Sequence, residues 1–117
     1  MASEFTIYHN PRCSKSRASL EILQEAGQTP TVIEYIKEGI SEEALKGLLQ
    51  SLGLPAANLI RRGESVYKDN GLNADEMSDD EIIRAINQHP ILLERPVVSN
   101  GKRAVIGRPP DNVRALL

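Results

Sequence analysis

Residues 9–17, HNPRCSKSR, hold the only cysteine of the chain. Cys13 stands among Arg12, Lys15 and Arg17, with His9 four residues upstream. The thiolate, not the thiol, is the nucleophile, and nearby cations or a helix N-terminus lower a thiol from about 8.5 into roughly 3.5–7.5. At pH 7 a thiol titrating at 8.5 is about 3% ionised, whereas one near 6.5 is mostly thiolate. Most lone cysteines are small apolar packers. Those sit in apolar periodic runs, and Cys13 sits in a polar turn with cations at −1, +2 and +4. The pattern points to a reactive thiol. His9 either lowers the thiol's pKa as an imidazolium or simply finishes a strand; the sequence leaves both open.

Spacing excludes several thiol chemistries. CSKS is C-x-x-S, so the dithiol motif is reduced to one thiol. A phosphatase-type loop places Arg six residues after its cysteine, and that position here is Ser19. One Cys and two distant His do not make a metal ligand set, so no bound metal is expected. With no second cysteine, an oxidised or substrate-bound Cys13 must be resolved by an external thiol. That requirement points to glutathione as co-substrate and a glutaredoxin-like partner.

The elements that must position Cys13 follow from periodicity and turn residues. FTIYH (5–9) alternates and reads as a strand closed by Asn-Pro. Ser14 or Ser16 can cap the helix that follows, whose face carries Leu20, Ile22, Leu23 and Ala26 before Gly27 ends it. PTVIEYI (30–36) reads as a second strand. SEEALKGLLQSLG (41–53) reads as a helix with acids in its first turn, and PAANLIRR (55–62) as a short one. SDDEIIRAINQHP (78–90) opens with a capping box from Ser78 to Glu81. PVVSNGKRAVIG (96–107) reads as two strands joined at Asn100-Gly101, and PDNVRALL (110–117) as a closing helix. The order is βαβ, a helical block, then ββα. It predicts an α/β fold, a four-stranded mixed sheet flanked by helices, with an inserted helical lobe over about 41–90 of a single domain spanning 1–117.

Totals narrow the partners. Aromatics make up 3% of the 117 residues, with no Trp, so the core must be aliphatic and a base-stacking surface for nucleic acid is not expected. No apolar run reaches the 18 or so residues of a membrane span, and the start MASEFTIYHN lacks a signal-peptide layout. A single cysteine suits a reducing cytoplasm. Nothing demands a dimer, and a monomer is expected. Residues 9–17 carry three cations and no anion, and 95–117 carry five cations against Asp111. Residues 21–94 carry fourteen acids against six bases. Most of these charges are solvated surface, but cations from both chain ends within an acidic body suit a small anion better than a long polyanion.

IYHNPRCSKSR, LIRR (59–62), HPILLERPVV (89–98) and IGRPP (106–110) together resemble the glutaredoxin-linked arsenate reductases. The likeness runs in register from Phe5 to about Asn112. It implies a thioredoxin-like fold and reduction of arsenate to arsenite at Cys13, with arginines from distant parts of the chain holding the oxyanion. Carried over by motif, those arginines are Arg61, Arg95 and Arg108. His9 matches a residue that helps ionise the cysteine, and Ser16 and Arg17 match positions beside the thiolate. Taken singly, Arg61 and Arg108 would read as solvated charges. Arg95 stands between an apolar run and Pro96, where thioredoxin-like folds place a cis-proline, so a cis Arg95–Pro96 bond is expected. Two other classes share such a thiol: a monothiol glutathione-dependent oxidoreductase, and a redox-responsive regulator that binds RNA polymerase. The regulator's usual second cysteine is replaced here by Ser16.

Overall fold

The structure, a computed structural model, describes residues 4–117; the first three residues of the start discussed above lie outside it. Strands β1 (Thr6–Tyr8), β2 (Thr31–Ile33), β3 (Val97–Ser99) and β4 (Ala104–Ile106) form one mixed sheet in the order β2-β1-β3-β4. β1 and β2 run parallel and are joined through helix α1 (Ser14–Glu25), while β3 is antiparallel to both β1 and β4. The expected four-stranded α/β fold is present. Its register places Val32, Ile7, Val98 and Val105 in one row across the sheet. Directly opposed residues share a face. Against that face Leu20, Ile22 and Leu23 of α1 and Val113 and Leu116 of the closing segment complete a core that is aliphatic apart from Phe5. These side chains hold the β1–α1 junction, and with it Cys13, at one end of the sheet.

The described residues up to Glu38, together with Arg95–Leu117, make one compact unit, and Gly39–Glu94 makes another. In the second unit α3 (Glu42–Leu52) begins at Ser41, whose Oγ accepts from the Ala44 amide at 3.1 Å, and ends at Gly53. After the short α4 (Ser65–Asp69), α5 (Asp79–Gln88) carries the expected capping box, with both Ser78–Glu81 bonds formed. Leu45 and Leu48 of α3 are buried, as are Ile82, Ile83 and Ile86 of α5. No helix among the described residues is long and apolar enough to cross a membrane.

Several elements depart from expectation. The strand over 30–36 stops at Ile33, and Tyr35–Glu38 forms a turn of helix, α2. The cause is local: the Glu38 carboxylate accepts from the Glu34 amide at 2.9 Å and closes that turn. Only Ala56–Asn58 of the helix over 55–62 is helical, as a 3-10 turn. Beyond Leu59 the chain instead forms an isolated antiparallel bridge, Ile60 to Leu93. The closing helix is also 3-10, over Pro110–Leu116. The hairpin turn is displaced by one residue. Asn100 Oδ1 accepts from the Lys102 and Arg103 amides, and Gly101, at φ 92°, takes the left-handed position.

Candidate active site

β1 carries the chain to a loop, residues 9–13, held from several sides. The His9 amide donates to the Ile33 carbonyl at 2.8 Å and so continues the β1–β2 ladder by one residue. Asn10 Oδ1 accepts from the Arg12 amide at 3.0 Å, and the Asn10 carbonyl accepts from the Cys13 amide at 3.0 Å. These bonds turn the chain into α1. From the helix, Ser16 Oγ accepts from the Asn10 amide at 3.0 Å, and Arg17 Nη1 donates to the Pro11 carbonyl at 2.8 Å.

Neither Ser14 nor Ser16 caps α1. The N-cap residue is Cys13 itself, in extended conformation at φ −94°, ψ 121°. Its side chain makes no capping hydrogen bond, but the Ser16 and Lys15 amides of the first turn lie near enough to the sulfur to favour its thiolate. The first turn contains no acidic residue to oppose a negative charge there. A third donor comes from the far end of the chain, the Arg95 guanidinium. Burial pushes the thiol up, but the two amides and Arg95 outweigh it, and the Cys13 pKa is lowered. The neighbouring cations serve differently from the sequence expectation: the charge on the sulfur is Arg95, and Arg17 braces the loop.

His9 is buried, and its Nδ1 lies 2.6 Å from Ser16 Oγ. Burial holds its pKa below the usual value; Glu34 opposes this and Arg17 adds to it. A neutral ring at neutral pH follows, so of the two readings left open the imidazolium is disfavoured. Ser16 is thus shared between two tasks. Its side chain joins His9 to the loop, and its amide faces the sulfur.

The Arg95–Pro96 bond is cis, as expected, and so is Arg108–Pro109. Arg95 also faces the phenol of Tyr35, which is fully buried at the start of α2. Arg108 is exposed, and its Nη1 makes a long 3.5 Å contact with the Arg95 carbonyl. Cys13, Arg95 and Arg108 thus belong to one unit. Arg61 belongs to the other, where the Arg61 amide donates to the Leu92 carbonyl and the Glu94 amide to the Leu59 carbonyl, both at 2.7 Å. That pairing sets Arg61 beside Glu94. Its guanidinium meets Glu64 Oε1 at 3.0 Å and Glu94 Oε1 at 3.1 Å. Sequence reasoning missed Tyr35, Glu64 and Glu94. Only Glu94, adjacent to Arg95, carried a positional hint.

A cysteine at the N-cap of the helix that follows β1, in a four-stranded mixed sheet flanked by helices, defines a protein of the thioredoxin-like class. A model of the ArsC family matches residues 8–116. An arsenate reductase of Neisseria meningitidis is 42% identical over 97% of this chain and 98% of its own length. One from Haemophilus influenzae is 38% identical, covering 95% of this chain and 97% of that protein. The solved structure of an arsenate reductase from Vibrio cholerae matches with a TM-score of 0.94 and 42% identity over the whole of both chains. The chain belongs to the ArsC family.

Proposed function

We propose that this protein reduces arsenate to arsenite, with Cys13 as nucleophile and glutathione and glutaredoxin as external reductants. The observation that carries the reading is Cys13 at the N-cap of α1, where the first-turn amides of Lys15 and Ser16 and the Arg95 guanidinium favour its thiolate. Arsenate is a compact oxyanion, and a thiolate approaching it faces like-charge repulsion. A guanidinium supplies a permanent charge and paired donors to both partners. Arg95 therefore serves the thiolate first and the incoming oxyanion next, with Arg108 and Arg61 as the further oxyanion ligands. No resident metal or prosthetic group is required.

In the first step the Cys13 thiolate attacks arsenic(V), forming a sulfur–arsenic bond as one oxygen leaves as water. Glutathione thiolate then attacks the Cys13 sulfur. The electron pair of the sulfur–arsenic bond passes to arsenic, arsenite leaves in the trivalent state, and a Cys13–glutathione disulfide remains. Glutaredoxin removes that glutathione by thiol–disulfide exchange and restores the Cys13 thiolate. The helix amides that stabilise the thiolate as nucleophile also stabilise it as the leaving group of this last step. The reading places the protein in the cytoplasm, acting as a monomer.

The test is arsenate-dependent NADPH consumption coupled through glutathione, glutaredoxin and glutathione reductase. Wild type should turn over and Cys13→Ser should not. Near-normal turnover in Cys13→Ser would end the proposal. A monothiol oxidoreductase would instead act on a small mixed disulfide in the absence of arsenate.

A further inference from the structure

Arg95 reaches the Cys13 sulfur from the segment that enters β3, so something must fix the distance between that segment and α1. A close contact between the two lies one residue past β4. The Gly107 amide donates to the Pro96 carbonyl at 2.9 Å. On its other side Gly107 packs against Ser19, which is fully buried on α1. There is no room for a side chain. A Cβ at position 107 would lie 2.8 Å from Pro96 Cγ and would collide with Ser19 Oγ. The Ser19 hydroxyl itself finds no hydrogen-bond partner among the described residues, so Ser19 is not there to donate or accept. Its small size is what the contact uses.

We propose that Gly107 is a positioning residue for the reactive thiol, because a backbone without a side chain there lets α1 and the Arg95–Pro96 segment close to the separation at which Arg95 reaches Cys13. Three pieces of chain meet at this seam: α1 through Ser19, the β3 entry through Pro96, and the β4 exit through Gly107. Ser19 lies six residues along α1 from Cys13, and Pro96 directly follows Arg95. A displacement at the seam therefore acts on both partners of the thiol contact, and the stiff close-packed interior transmits it. This inference rests on Cys13 as the nucleophile but not on arsenate as the substrate.

The experiment measures the Cys13 titration by thiolate absorbance in Gly107→Ala, with no oxyanion present. The pKa should rise by roughly one pH unit, as expected for loss of a nearby opposite charge. In an Arg95→Ala background Gly107→Ala should add nothing further, since the contact it disturbs is already gone. Ser19→Ala alone should leave the titration unchanged, and combined with Gly107→Ala should recover part of the shift by removing the hydroxyl. Should Gly107→Ala not fold, Ser19→Val crowds the same seam from the helix side and should give the same rise. A folded Gly107→Ala with wild-type titration would overturn the proposal. So would a shift that persists fully in the Arg95→Ala background, or loss of folding in both Gly107→Ala and Ser19→Val. Failure of the arsenate reading would leave these titrations as they are, so the two can fail separately.

Discussion

Arg95 and Arg61 were both expected to hold the oxyanion, yet the two units give them opposite settings. In the sheet-bearing unit Arg95 points its charge at a sulfur. In the helical unit Arg61 lies between two carboxylates, Glu64 and Glu94, and all three side chains are less than a quarter exposed. One guanidinium is held ready to stabilise an anion; the other is already matched by anions. The lesson is that residue type and motif position do not fix the work an arginine does. The carboxylates around it do. An oxyanion arriving at Arg61 must compete with Glu64 and Glu94, whereas one arriving at Cys13 meets donors aimed outward from a helix end.

This contrast can be broken at either arginine. The largest effect is expected for Arg95→Ala, which should lower kcat by about 10²- to 10³-fold, the usual loss for a charge-stabilising donor, and raise the Cys13 pKa. Arg61→Ala should act on substrate instead. Its KM for arsenate should rise by roughly tenfold or more, with the Cys13 titration unchanged, so steady-state kinetics and thiolate absorbance together separate the two arginines. A smaller effect of opposite sign should follow Glu94→Gln. Weakening one restraint on Arg61 should lower KM by about two- to fivefold, the range of a partly exposed ion pair. An unchanged or raised KM there would show that the carboxylates orient Arg61 rather than compete for it.

The smallest expected effect concerns His9 and is read in stability. Its folded pKa lies below the unfolded value of about 6.5, so protonation favours the unfolded chain. The stability that the neutral ring contributes is present above about pH 6.5 and is lost as the pH falls from there through the folded pKa. Melting temperature against pH should therefore decline more steeply below 6.5 in wild type than in His9→Gln. Parallel profiles would place the acid sensitivity elsewhere.

The sequence made most of the sheet legible because its strands were set off by strong punctuation: Asn10-Pro11, Gly27, Pro96 and the Asn100-Gly101 pair. The end of β2 had none and was read three residues too long. The capped helices α3 and α5 were equally clear, since Ser41 and Ser78 each precede a run of acids. Segments whose structure is decided by distant partners were not legible. The helix stops at Leu59 because Ile60 bridges to Leu93, with Leu59 and Arg61 bonded to Glu94 and Leu92, and nothing local distinguishes the segment from helix. The reactive character of Cys13 was visible in its polar turn, but the source of its stabilisation was not. Sequence places Arg12, Lys15 and Arg17 nearest, whereas the fold supplies Arg95 and two backbone amides. A backbone donor has no residue signature. Nor does the Gly107–Ser19 contact, which exists only once α1 lies against the sheet.

The most direct test of the central claim is the pKa of Cys13 in wild type beside Arg95→Ala, by thiolate absorbance without substrate. The account predicts a wild-type thiol titrating below about 8.5 and a clearly higher value in the variant, with the fold retained. A wild-type value at or above 8.5, or equal values in the two proteins, would contradict it.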